Sequence, residues 1–256
     1  MSGAAILLRK ELLESWRTMR LPIVAGLFLL VGLSSPLLAK FLPEIIKAAA
    51  GDQLPSIPIP TPVPADAAEQ LWKNLAQFGA FAAIILAMGS VATERDRGTA
   101  AFILSKTVSR GAFLAAKVGS IGAVLALCVA LATAVGWLYT AILFEPQPVA
   151  GWIAFAFLAW VGLAAWAALT FLGSTVTGSA AAAAGIGFVA LLVLSIAAAI
   201  PNLGRVLPGG LAGPALAMAA GLPVDAADVL TPVLGTSILV ALALGASAWS
   251  FGRQEL

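Results

Sequence analysis

Residues 113–144 read FLAAKVGSIGAVLALCVALATAVGWLYTAILF, and Lys117 is the only charged side chain among them. A helical membrane span needs about 20 predominantly apolar residues, so this run can cross a bilayer with slack for tilt or a longer helix. Five more runs of similar character lie at about residues 21–42, 75–92, 152–172, 180–200 and 231–251. Each is continuously apolar, whereas a membrane β-barrel would show alternating strands of about ten residues. The reading is an all-α membrane protein: six transmembrane helices forming a single transmembrane domain over residues 1–256, with no soluble domain.

Composition agrees. Of 256 residues, 61% are hydrophobic and 10% charged, against about 25% charged in an average soluble domain. A formal net charge of +2 is too small to imply nucleic acid, and the basic residues sit beside the apolar runs, where phospholipid headgroups lie. Cys128 is the only cysteine and there is no histidine. That excludes a disulfide within the chain and leaves no material for zinc, haem, iron–sulfur or histidine-based nucleophilic sites. No catalytic, cofactor-binding or metal-binding residue is expected. Although Arg9, Lys10, Arg17 and Arg20 precede the first run, that run is too long for a signal peptide and is read as a retained span.

Counting Lys and Arg orients the chain. With the N-terminus inside, inner segments hold Arg9, Lys10, Arg17, Arg20, Arg95, Arg97, Lys106, Arg110, Lys117 and Arg253. Outer segments hold Lys40, Lys47, Lys73 and Arg205. Ten against four satisfies the positive-inside rule and predicts a multi-pass plasma (inner) membrane protein with both termini cytoplasmic. From about Ala5 to Arg20, a helical wheel gathers Ala5, Leu8, Leu12, Trp16 and Met19 on one face and turns Lys10, Glu14 and Arg17 away, with Arg9 and Arg20 at the border. This predicts an interfacial helix, Trp16 at headgroup depth and its basic residues on lipid phosphates.

Two outer segments exceed what a connection needs. Prolines 55, 58, 60, 62 and 64 impose a polyproline-like course before a short helix over residues 65–74. Further on, LPGGLAGPALAMAAGL (207–222) is apolar yet rich in Gly and Pro. It predicts broken helices dipping into the outer leaflet, or a plain loop. Within the spans, GSAAAAAGIG (178–187) predicts close helix packing, and Thr133, Tyr139, Thr140, Thr170, Ser195 and Ser237 are scattered polar points in otherwise strongly apolar surroundings.

The inner segment 89–120, GSVATERDRGTAAFILSKTVSRGAFLAAKVGS, is the most informative. Glu94, Arg95, Asp96 and Arg97 cluster at the membrane edge, Gly98 permits a turn, and Thr99 can cap a short helix through Phe102 and Leu104 to Ser105. Such a short cytoplasmic coupling helix between spans 2 and 3 makes a handle for a soluble partner.

This stretch resembles the type-2 ABC exporter permeases. Their pattern after the second span runs close to E-x-x-x-G-T, a small apolar helix, L-S-x-P-V-S-R and a later Lys. Glu94, Gly98, Thr99, Leu104, Ser105, Val108, Ser109, Arg110 and Lys117 fall on it, while Thr107 stands where a proline is common. The R-K-E-L start at residues 9–12 and the F-G-R-Q-E-L end at 251–256 are similar in layout. The resemblance implies an ATP-driven exporter in which a separate ABC ATPase subunit binds ATP and Mg and meets an ATPase-coupling interface of Glu94, Arg95, Asp96, Arg97, Gly98, Thr99, Phe102, Leu104 and Arg110. It also implies a second permease copy in a homodimer, and a contact role for the interfacial helix with Arg9, Lys10, Leu12, Trp16, Arg17 and Arg20. The chain itself has no G-x-x-x-x-G-K-[ST] phosphate loop. An ion-coupled secondary transporter remains an alternative, but every charge lies at or beyond a predicted membrane edge. A non-transporting membrane scaffold is the other alternative.

Overall fold

A computed structural model describes residues 3–50, 61–99 and 109–254. Helix α1 (Gly3–Arg17) is short; α2 (Arg20–Ala50) is the first span. Next, α3 (Pro64–Asn74), a π-helical segment (Leu75–Gly79) and α4 (Ala80–Met88) run on as one rod, and α5 (Ala92–Asp96) follows a turn. Then come α6 (Arg110–Leu143), α7 (Val149–Val176) and α8 (Ala180–Ala198). A broken segment contains α9 (Leu203–Val206), a 3₁₀ turn (Pro208–Leu211) and α10 (Ala212–Ala219), before α11 (Ala226–Gly252). Six stretches among the described residues are long and apolar enough to cross a membrane: α2, Pro64–Asp96, α6, α7, α8 and α11. The protein is an all-α membrane protein.

Each predicted span is present, and the differences lie at the ends. The first run was expected to stop at Leu42, but α2 continues through Pro43, with Pro36 also inside. Proline removes one backbone donor, and a membrane helix tolerates this where neighbours re-satisfy the freed groups. The short helix expected at 65–74 begins at Pro64, a proline in the first turn where its missing N–H costs nothing. The Asp66 carboxylate accepts from the Val63 N–H at 2.8 Å. The proposed polyproline course over 55–60 lies outside the described residues.

The core is built from Phe28, Leu71, Phe113, Phe155, Phe171 and Phe251, all nearly inaccessible. Small residues bring backbones close: a Cβ on Gly32 of α2 would lie 2.5 Å from the Ala132 carbonyl oxygen of α6. One on Gly187 of α8 would strike the Thr170 hydroxyl of α7. On α11 the buried residues Pro232, Thr236, Ala243, Ser247 and Phe251 form one stripe at helical spacing. On α8 only Ala183 and Gly187 are buried, so α8 is peripheral.

Residues 201–230 do contain broken helices. Pro208, Leu211, Pro214, Ala215 and Ala219 are buried, and the segment lies along α7, with Met218 against Gly151 and Leu211 against Gly162. Those two glycines are separated by roughly 16 Å of helix rise, so the segment reaches well down the bundle. Both described chain ends, α1 and the end of α11, pack where α6 begins: Lys117 meets Glu11, and Phe113 stacks on Phe251 at 5.7 Å. This is the basic end of the bundle.

Candidate functional site

At the basic end the charges predicted from sequence are drawn together around one lysine. Lys117 projects from α6 into the protein, its side chain only 4% exposed. Its ammonium lies 2.7 Å from Glu94 Oε1, at the α5 segment, and 3.2 Å from Glu11 Oε2 of α1. Lys10 closes the cluster, 3.2 Å from Glu11, 3.1 Å from Glu14 and 3.8 Å from Glu94. Three carboxylates thus share two ammonium groups across three helices. A lysine this buried needs such partners, since an unpaired ion away from water is costly. Glu94 Oε2 is buried without a partner among the described residues and faces the same region. A cavity of about 360 Å³ opens beside it, lined by Glu14, Arg20, Thr93, Arg97 and Ser120 among others.

The electrostatics of α1 follow. Burial alone would lower the Lys10 pKa, but Glu11, Glu14 and Glu94 together raise it above the ordinary lysine value. For Glu14, burial pushes upward, and the hydrogen bond and charge of Lys10, with Lys117 and Arg20, outweigh it and hold the carboxyl below its usual range.

Helix ends around this cluster are closed by side chains. Ser174 of α7 accepts from the N–H groups of Val91 and Ala92 at 3.1 and 3.0 Å, satisfying the start of α5. Arg95 donates to the Thr175 carbonyl at 3.1 Å, and Gln254 donates to the same oxygen at 2.9 Å. Arg110 donates to the carbonyls of Phe251, Gly252 and Gln254 at 2.8–3.0 Å, placing a cation on the last turn of α11.

The structure therefore divides the residues picked from sequence. Asp96, Arg97, Gly98 and Thr99 are exposed; Gly98 turns at φ 68°, and the Thr99 hydroxyl donates to the Glu94 carbonyl. Glu94, Arg95 and Arg110 are instead engaged within the chain. Phe102 and Leu104, with the helix expected to run to Ser105, lie outside the described residues. On α1, Leu12 packs against the core, while Arg9, Lys10, Trp16 and Arg17 are exposed, as is Arg20, which opens α2. The wheel drawn to Arg20 runs too far. Helix α1 ends at Arg17, Met19 takes φ 61°, and its side chain is exposed rather than on a continuing apolar face.

Sequence reasoning passed over Glu11 and gave Lys117 no partner. A lysine two turns inside an apolar helix was the available signal, because it requires an acid at the same depth. Among the described residues, no group of three or more His, Cys, Asp or Glu side chains could hold a metal ion.

A bundle of six apolar helices with an interlocked charge cluster at one end defines a multi-pass membrane protein. The chain matches the family described as "ABC-2 family transporter protein" over residues 5–217, from α1 through the broken segment. It is also 31% identical over 258 residues to the uncharacterized transmembrane protein YxlG of Bacillus subtilis (strain 168), covering 97% of each chain. The protein belongs to the ABC-2 transporter family, as a membrane-spanning permease subunit of an ABC transporter, and that family implies an ABC ATPase subunit as partner.

Proposed function

We propose that this chain is the permease of an ATP-driven exporter, coupling ATP hydrolysis by a separate subunit to movement of a hydrophobic or amphipathic cargo. It has no catalytic centre of its own; ATP and magnesium are bound by the partner. The basic end faces the cytoplasm, with both termini there, in the plasma (inner) membrane, and the working unit holds two copies of this chain.

The observation that carries this reading is the Glu11–Lys117–Glu94 cluster. It ties the interfacial helix and the α5 segment to the longest span, so a push received at α5 is delivered to α6 as a rigid-body displacement. In this scheme Asp96, Arg97, Gly98 and Thr99, with Phe102 and Leu104, meet the ATPase. Glu94, Arg95 and Arg110 hold that segment in place, Leu12 and Lys10 hold α1 to the bundle, and the exposed Arg9, Trp16 and Arg17 of α1, with Arg20 at the start of α2, rest on lipid headgroups.

Co-purification with the candidate ATPase in nanodiscs tests it. Asp96→Ala with Arg97→Ala is expected to lower recovery of the complex. Glu94→Gln is expected to leave recovery intact while weakening cargo-stimulated ATP turnover. If no ATPase subunit is retained under any mild condition, the exporter reading fails, and an ion-coupled carrier or a scaffold replaces it.

A further inference from the structure

We propose that a groove between α6, α7 and α11 is a binding site for an anionic phospholipid, its acyl chain in the groove and its headgroup phosphate at Arg9. This goes beyond transport and does not depend on it.

The groove exists because three helices diverge. Helix α11 lies along α7 through its buried stripe and meets α6 at the basic end, where Phe113 stacks on Phe251 with 10° between ring planes. Beyond that closure α6 presents Gly119, Gly122 and Ala126, too short to fill the space. The result is a groove of about 380 Å³. Ala167, Ala168 and Phe171 of α7 are buried beneath it, and Gly119 and Ala126 are exposed at its lip. Trp160 forms a wall and donates its indole N–H to the Gly122 carbonyl at 3.0 Å, which leaves that wall no unmet donor. From Gly119 to Ala126 the groove runs roughly 10 Å along a membrane-spanning helix. A hydrocarbon chain matches an apolar surface at that depth, where water does not.

The mouth identifies the kind of lipid. Leu8 of α1 stands 3.5 Å from the position of a Cβ on Gly119, so the interfacial helix crosses at the entrance. The next residue, Arg9, is exposed and makes no ion pair among the described residues, whereas Lys10 is taken up by Glu11 and Glu14. Arg9 is one residue along the helix from the Leu8 contact, so its long flexible stem can carry an uncommitted guanidinium to the groove mouth, where it suits a phosphate-bearing headgroup with net negative charge.

Native mass spectrometry of the full chain in micelles, with equal phosphatidylglycerol and phosphatidylcholine, tests the assignment. Wild type is expected to retain phosphatidylglycerol preferentially. Gly122→Leu plugs the groove: a Cβ there meets nothing within 4 Å, so the backbone need not move. Retention should fall roughly tenfold, as expected for losing about two buried methylenes. Ala126→Leu plugs the same groove from its exposed lip and guards against misfolding of the first variant. Arg9→Gln should keep the bound chain but lose the preference for phosphatidylglycerol. Wild-type retention in either folded plug variant overturns the proposal. So does an unchanged lipid preference in Arg9→Gln, or a plug that splits a dimer without altering lipid retention, which would make the groove a seam between copies.

Discussion

The two ends of the bundle are held by different chemistry. At the basic end, an interlocked set of ions and helix caps joins α1, α5, α6, α7 and α11. At the opposite end, the broken segment is held by close backbone packing, with Met218 against Gly151 and Val206 against Gly235. Its one ion pair among the described residues, Arg205 with Asp228 at 2.8 Å, is well exposed and contributes little. Contacts of the first kind fail when a charge is removed and those of the second when a methyl group is added. The basic end is therefore suited to passing on a push, and the other end to staying closed by shape alone.

Lys117→Met should have the largest effect. It leaves Glu11 and Glu94 with the half-exposed Lys10 as their one remaining counter-ion, and breaking a buried pair from one side costs up to about 3–5 kcal/mol. A melt in detergent should show the loss, and a wild-type melting temperature would mean the cluster does not join these helices. Gly151→Val comes next. Its Cβ would collide with the Met218 carbonyl, and overpacking of this kind costs about 1–3 kcal/mol. The damage should be confined to the broken segment, read as protease sensitivity between α8 and α11 with the basic end unchanged. The smallest effect is that of acid on α1. Since the Glu14 pKa is depressed in the folded chain, its contribution is present above the ordinary carboxylate range and is lost as pH falls through the folded value. Lys10, shifted upward, keeps its contribution through neutral pH and loses it only above the ordinary lysine range. A probe on α1 should therefore loosen below about pH 4 and stay unchanged near neutrality, while a probe on α10 should not respond.

The six spans were legible because a run of some 20 apolar residues has few other homes, and α6, α7 and α8 begin or end within a few residues of expectation. Their ends were less so. Pro43 reads as a stop in water but not in a membrane helix, and the π segment at Leu75–Gly79 fused a predicted outer helix to its span. The site was half legible. The cluster at Glu94–Arg97 stands out by charge, yet whether each member faces out or in depends on partners distant in sequence: Thr175 for Arg95, Phe251 to Gln254 for Arg110, and Lys117 for Glu94. Glu11 was hidden for the same reason. A wheel drawn for one helix marks it polar and cannot show that a lysine more than a hundred residues later lies opposite.

Lys117 also makes two contacts depend on one ion. Its ammonium is held by carboxylates of two different elements, 2.7 Å to Glu94 and 3.2 Å to Glu11. If either acid moves away, the lysine keeps the other as its counter-ion and stays charged inside the protein. Displacement of α1 or of the α5 segment is therefore tolerated singly, while losing both at once would leave a buried charge alone.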